Sequence, residues 1–148
     1  LYRVLAEARV WKRGMINVDV GGGRCDKTAD FLRTLGVDNL VYDPQHCSST
    51  HNEAVLKFLA QGAETATVSN VLDQLWEAEE REEVIEVASY ALVAYFTVDE
   101  GDRTGKGRII EGVWRENRKL YSYIPEIMKS FLNTDIKSLN GQRIIVAW

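Results

Sequence analysis

Asp19, Gly21, Gly22, Gly23 and Asp43 are the residues whose types and spacing could do chemistry. The three glycines follow an apolar run, residues 15–20, and precede a helix-like segment that starts near Asp26. Asp43 comes twenty positions after Gly23, directly behind a second apolar run, Leu40-Val41-Tyr42. Strand, glycine turn, helix, strand and acid form the front half of a nucleotide-type cofactor site. Glycine lets the main chain turn tightly and lets a ligand approach without a Cβ in the way. A carboxylate behind the second strand suits the two hydroxyls of a ribose.

The details choose among ligands. A dinucleotide site spaces its glycines G-x-G-x-x-G, which seats a pyrophosphate on the helix N-terminus. Counting from Gly21, the sixth position here is Asp26, and a carboxylate there repels phosphate. Asp19 before the glycines favours a cationic or amino-bearing ligand for the same reason. Both argue against a nicotinamide-dependent oxidoreductase. Cys25 is expected to line or flank the site. His46, Cys47 and His51 lie close together but lack a fourth ligand and a metal-site spacing, so no metal is expected.

These residues need elements to position them. The 148 residues read as one domain, 1–148, and a 45% hydrophobic content is ordinary for a chain with a packed core. Helical patterns fall at residues 1–12, 26–35, 77–92 and around Ile124, Ile127, Met128, Phe131 and Leu132, a stripe expected in the core. A capping box at Thr50-His51-Asn52-Glu53 starts a further helix that ends near Gly62. Strands are expected at 15–20, 39–42, 65–69 and 94–98, with a polar loop at 99–108. Asn140-Gly141 between residues 135–139 and 143–148 signals a β-hairpin. Alternating strands and helices predict an α/β, Rossmann-like fold: a mostly parallel sheet, helices on both faces and a C-terminal antiparallel hairpin.

Asp19-x-Gly21-x-Gly23 resembles the first motif of class I S-adenosylmethionine (SAM) dependent methyltransferases. Tyr42-Asp43-Pro44, Ser69-Asn70-Val71-Leu72, Phe96-Thr97-Val98 and the terminal hairpin extend that resemblance over nearly the whole chain. It is similar to the small members encoded by bacteria and their phages. The resemblance implies SAM as cofactor and methyl transfer to an unidentified substrate. By family analogy Gly21, Gly22 and Gly23 pass along the methionine part of SAM, and Asp19 helps hold its amino group. Asp43, with Pro44 behind it, accepts from the ribose. Asn70 sits under the cofactor, and Val71 or Leu72 lies near the adenine or the reacting face. The family has a further strand before residue 65; the linker here is too short for it, so the sheet is expected to be trimmed at one edge. An Asp-Pro-Pro-Tyr motif is absent, and so is a Pro-Cys nucleophile, so neither amino-directed nor cytosine C5 methylation of bases has direct support.

Methyl transfer asks mainly for positioning, and a base only where the acceptor arrives protonated. Asp99, Glu100, Asp102, His46 and His51 are the candidates. The acceptor is expected over residues 99–108, near Asp99, Arg103, Trp114, Asn117 and Arg118, where cations and aromatics mix. That mix suits a small-molecule or nucleotide-like substrate, or it is a solvated loop and helix start. A net charge of -4 and a pI near 5.3 give nucleic acid no electrostatic support. No apolar run approaches a membrane span, no signal peptide is visible, and two cysteines fit a reducing, cytoplasmic setting. Leu1 stands where a methionine is expected, so the natural start lies upstream or has been removed. The alternative to an enzyme is a SAM-binding, methyltransferase-like protein without turnover that acts as a subunit or regulator.

Overall fold

The computed structural model describes residues 1–23 and 26–148, without the side chain of Asp26. The expectations for Cys25 and for the Asp26 carboxylate therefore lie outside the described residues. In chain order the elements are α1 (Tyr2–Glu7), β1 (Ile16–Val20), α2 (Asp26–Thr34), β2 (Asp38–Tyr42), α3 (Ser49–Leu59), β3 (Ala63–Ser69), α4 (Ala78–Ala88) and β4 (Ala91–Thr97). They continue with β5 (Arg108–Ile110), β6 (Val113–Arg115), α5 (Ile124–Ile127), β7 (Thr134–Leu139) and β8 (Gln142–Ala147). Short 3-10 turns occupy Leu72–Gln74 and Leu120–Tyr123.

Six strands form one sheet in the order β2-β1-β3-β4-β8-β7. The first four are parallel to one another, and β8 is antiparallel to both its neighbours, β4 and β7. The sheet ends at β2, and α3 leads directly to β3, so the expected trimming is at that edge. Asn140 and Gly141 both have positive φ, as a two-residue hairpin turn of this type requires.

The two faces of β1 differ because successive side chains alternate. Val18 and Val20 point into the larger core with Val55 and Leu59 of α3, Ile85 and Ala88 of α4, and Phe96. Leu5, Trp11, Leu32 and Ile144 close the opposite side. There Asn17 and Asp19 are buried too, and they are satisfied by a polar ladder across the strands. The Trp11 indole N–H donates to Thr65 Oγ1, which donates to Asn17 Oδ1. Asn17 Nδ2 donates to Asn39 Oδ1 and Thr67 Oγ1. The ladder ends at Asp19, where the Tyr2 hydroxyl donates to Oδ1 at 2.5 Å. A buried polar group costs little only when it is paired in this way.

Several boundaries depart from expectation. α1 stops at Glu7 instead of near residue 12, because the chain leaves it through Arg9 at positive φ and brings Trp11 to the sheet. α3 is capped by Ser48, whose Oγ accepts from the His51 N–H, and not by a box starting at Thr50. α4 ends at Ala88, short of residue 92: β4 must begin at Ala91 to pair with Ala63, so Leu92 is a strand residue. Its first turn carries Glu79 and Glu80, which favour the positive end of a helix. The apolar stripe after residue 124 forms one α-helical turn, not a long helix. Ile127 and Phe131 are buried, Phe131 edge-on to Phe96 at 5.9 Å, but Met128 and Leu132 are exposed. The chain must straighten there, since Asn133 and Trp148 exchange both backbone hydrogen bonds at the sheet margin. Residues 108–115, in part expected as loop, form a β-hairpin. Glu111 and Gly112 both take positive φ at its turn, a geometry that Glu signals poorly. Among the described residues no helix is long and apolar enough to cross a membrane, and no group of His, Cys, Asp and Glu could hold a metal ion.

Candidate functional site

The parallel strands deliver their loops to one edge, where ligands bind in open α/β sheets. Two backbone hydrogen bonds lock the strand ends together: Gly21 N–H to Tyr42 O at 2.7 Å, and Asn70 N–H to Thr97 O at 2.9 Å. The loops enclose a cleft of about 570 Å³ lined by Gly21, Asp43, Pro44, Asn70, Val71 and Trp114, with Gln45, His46, Gln74, Leu75, Glu80 and Glu83 among the rest.

Gly21 has φ +75°, and a Cβ there would stand 2.6 Å from Val71 Cγ2. The β1 and β3 loops therefore touch through bare backbone, and any side chain at 21 would push Val71 into the cleft. Gly22 lies over Asp19: a Cβ on it would meet the carboxylate at 2.7 Å. Asp19 is thus directly beneath the glycine loop, almost fully buried. Burial pushes its carboxyl up to about 6, against the hydrogen bonds from Tyr2 and Thr67.

Asp43 organises the other side. Its Oδ2 accepts from the Gly23 N–H at 2.8 Å, which ties the β2 loop to the glycine turn. Oδ1 accepts from the N–H groups of Gln45 and His46 at 2.9 and 3.0 Å, and His46 Nδ1 lies 3.0 Å from Oδ2. Asn52 of α3 clamps the backbone of Asp43 from both sides, accepting from its N–H and donating to its C=O. Glu83 accepts from the Tyr42 hydroxyl at 2.7 Å. Burial and that carboxylate push the Tyr42 phenol up to about 12. The cleft wall therefore carries Asp43, Glu80 and Glu83, a lining that attracts cations and repels phosphates.

The structure brings Gly21, Asp43, Pro44, Asn70 and Val71 together around one cleft; of the other expected cofactor residues, Asp19 lies buried beneath Gly22 and Gly23 is tied to Asp43, outside the cleft lining. Asn70 takes φ +54°, and its carbonyl accepts from Gln74 Nε2. The residues expected to face an acceptor divide. Trp114 lines this cleft. Asp99 and Arg103 line a separate hollow of about 370 Å³ beside Thr97, Glu100 and Arg143. Asn117 is buried under the loop, its Nδ2 donating to Lys106 O. Arg118 is turned away from both: it donates to Glu126 Oε1 and to Ser122 Oγ and O, and it stacks on Tyr123 at 4.2 Å. Glu126 also takes Arg81 Nε at 2.7 Å. Burial works to raise the Glu126 carboxyl, but the two arginines outweigh it and hold it low. Arg118→Ala is therefore expected to cost about 2 kcal/mol of stability, since it unpairs part of a half-buried ion network. Urea denaturation checks this, with ligand affinity at the cleft unchanged.

Sequence reasoning missed Tyr2, Glu83, Gln74 and Trp76. Tyr2 was concealed by its place in an unremarkable N-terminal helix, and Glu83 by an acidic run that reads as solvated surface. Of the five candidate bases only His46 lines the cleft. His51 Nε2 is engaged with Val41 O at 2.8 Å, and Asp102 with Thr104 and Arg108.

No protein-family model matches the sequence, and no curated protein does. Solved structures do. The chain superposes on 1,6-didemethyltoxoflavin-N1-methyltransferase from Burkholderia thailandensis, crystallised with its substrate and S-adenosylhomocysteine, with TM-score 0.60 and 14% identity over 98% of this chain and 73% of that one. A presumed O-methyltransferase from Nostoc punctiforme gives TM-score 0.58 and 11% identity over 98% of this chain. This chain spans only 55% of the Nostoc protein's length. A TehB-like SAM-dependent methyltransferase from Corynebacterium glutamicum gives 0.55 and 15%, over 99% and 84%. The chain shares the Rossmann-like fold of these methyltransferases.

Proposed function

We propose that the chain is a SAM-dependent methyltransferase that acts on a small molecule. The observation that carries this reading is the contact of Gly21 with Val71 above a buried Asp19. It puts bare backbone at the strand ends, and among the described residues the cleft lining carries carboxylates and no Lys or Arg. The residues present fit the cofactor. The cleft has room for an amino-acid chain beside Gly21 and Val71, Asp19 beneath Gly22 would supply a negative charge near an ammonium, and Asp43 would be an acceptor for ribose hydroxyls. SAM, when bound, supplies a methyl group on a sulfonium, a good leaving group.

The chain's own residues then position and shield. Gly21 lets Val71 pack on bare main chain, Gly22 leaves space for the Asp19 carboxylate, and Asp43 fixes the glycine turn through Gly23. Val71, Leu75, Val84, Val113 and Trp114 are among the apolar residues of the cleft lining. His46 has a half-exposed ring on the wall and is the candidate to take a proton from an acceptor that carries one. The fold-sharing protein from Burkholderia methylates a small molecule, which supports the same substrate class here. The acidic cleft wall argues against a nucleic-acid backbone.

Calorimetry tests this directly. S-adenosylhomocysteine is expected to bind, and NAD, with its pyrophosphate, is not. Tight NAD binding without a signal from S-adenosylhomocysteine would sink the proposal. Transfer of a labelled methyl group to a small-molecule extract separates an enzyme from a binding protein without turnover.

A further inference from the structure

We infer that the methyl acceptor is a flat aromatic or heteroaromatic ring, without phosphate groups, that lies against the indole of Trp114. This rests on the reading of the cleft as a methyl-transfer site. Trp114 lines the same cleft as Asn70 and Val71, and it is fixed in place from several directions. It stacks on Trp76 with ring centroids 5.0 Å apart and planes 13° from parallel. Its Nε1–H donates to Glu116 Oε1 at 2.8 Å, so its one polar atom is already committed. Gly107 packs closely on the benzo ring: a Cβ there would stand 2.0 Å from Cζ2.

The platform is also tied to the cofactor side. Asp73, in the 3-10 turn that follows Asn70, pairs through Oδ2 with Arg115 at 3.0 Å, and its carbonyl accepts from the Glu116 N–H at 2.9 Å. These contacts hold the β5–β6 hairpin to the loop of β3. An isolated two-stranded hairpin is marginal; this one is anchored where its tryptophan meets the cleft. Trp76 itself is 65% exposed and backs Trp114 from outside the cleft lining.

Indole faces are electron-rich and favour planar, neutral or cationic rings. Glu80 and Glu83 on the same cleft disfavour anions. A base held in a nucleic acid brings its phosphates along, so the occupant is a free small molecule.

The test uses protein saturated with S-adenosylhomocysteine. It is titrated by calorimetry with 1-naphthol and with its saturated counterpart, decahydronaphthalen-1-ol, both neutral. The planar probe is expected to bind at least about tenfold more tightly. Trp114→Leu should remove that preference while S-adenosylhomocysteine still saturates the protein, and Trp114→Phe should restore most of it. Trp76→Leu, at an exposed position that tolerates change, should weaken the planar probe alone. Equal binding of the two probes, no binding of the planar one, or a preference that survives Trp114→Leu would overturn the inference. Failure of S-adenosylhomocysteine to bind at all would instead overturn the cofactor reading.

Discussion

Asp43→Ala is expected to lose about 3 kcal/mol of stability and to weaken S-adenosylhomocysteine at least about a hundredfold. Asp43 is 4% exposed, and its carboxylate accepts from three backbone N–H groups, those of Gly23, Gln45 and His46. Hydrogen bonds to an ionised acceptor are the stronger kind, and alanine leaves all three donors without a protein partner. Water can reach part of the site, because the cleft is open on that side, and this limits the loss. The effect on binding has two parts: the ribose loses its acceptor, and the Gly23 end of the glycine turn loses its anchor. Asp43→Asn keeps one acceptor for Gln45 and His46 but turns an NH2 toward the Gly23 N–H, so it removes the charge and the Gly23 anchor and keeps the turn at residues 43–46. It should fall between wild type and alanine in both measurements. Urea denaturation and calorimetry on the three proteins check the order. Unchanged affinity in folded Asp43→Ala would show that another group holds the ribose.

The parts of this site that were legible in the sequence are those set by short-range geometry. A triple glycine after an apolar strand can only be a tight turn, an acid after the next strand arrives at the same sheet edge, and Asn140-Gly141 needs no distant partner to form its hairpin. What was not legible depends on pairing across the fold. Nothing local to Tyr2 says that its hydroxyl will end a polar ladder at Asp19 seventeen residues on. The end of α4 is set by the strand register, Ala63 against Ala91, although Ala-Ser-Tyr-Ala-Leu continues the helical composition. Arg118 reads as a substrate clamp among cations and aromatics, and only the packing of α5 shows Glu126 and Tyr123 waiting for it. Trp76 and Trp114 lie on elements 38 positions apart in sequence, and their stack exists only because Asp73 holds the hairpin.

Asp19→Asn is expected to make the protein more stable and less able to bind its cofactor. Burial raises the Asp19 carboxyl from 3.8 to about 6, so folding disfavours its charged form. The sign follows from linkage. Below about pH 4 the group is protonated both folded and unfolded, and it costs nothing. As the pH rises the unfolded chain ionises first, and stability falls until the folded group ionises near pH 6. Above that the full cost remains, at most about 3 kcal/mol for a shift of this size. Asparagine keeps an acceptor for the Tyr2 hydroxyl but never charges. The variant should therefore match wild type near pH 4 and exceed it by about 2 kcal/mol above pH 7. On the proposed reading of the site, an ammonium-bearing ligand over Gly22 would recover that cost, and below pH 6 its binding would draw the proton off Asp19. Affinity for S-adenosylhomocysteine should accordingly fall as the pH drops below 6 in wild type. In Asp19→Asn it should be weaker by about tenfold or more at pH 7.5 and lack that dependence. Denaturation curves from pH 4 to 8 and titrations at pH 5.5 and 7.5 measure both effects. A variant no more stable than wild type at pH 8 would show that Asp19 is not strained by its burial. One that binds as tightly as wild type would remove the carboxylate from the cofactor site.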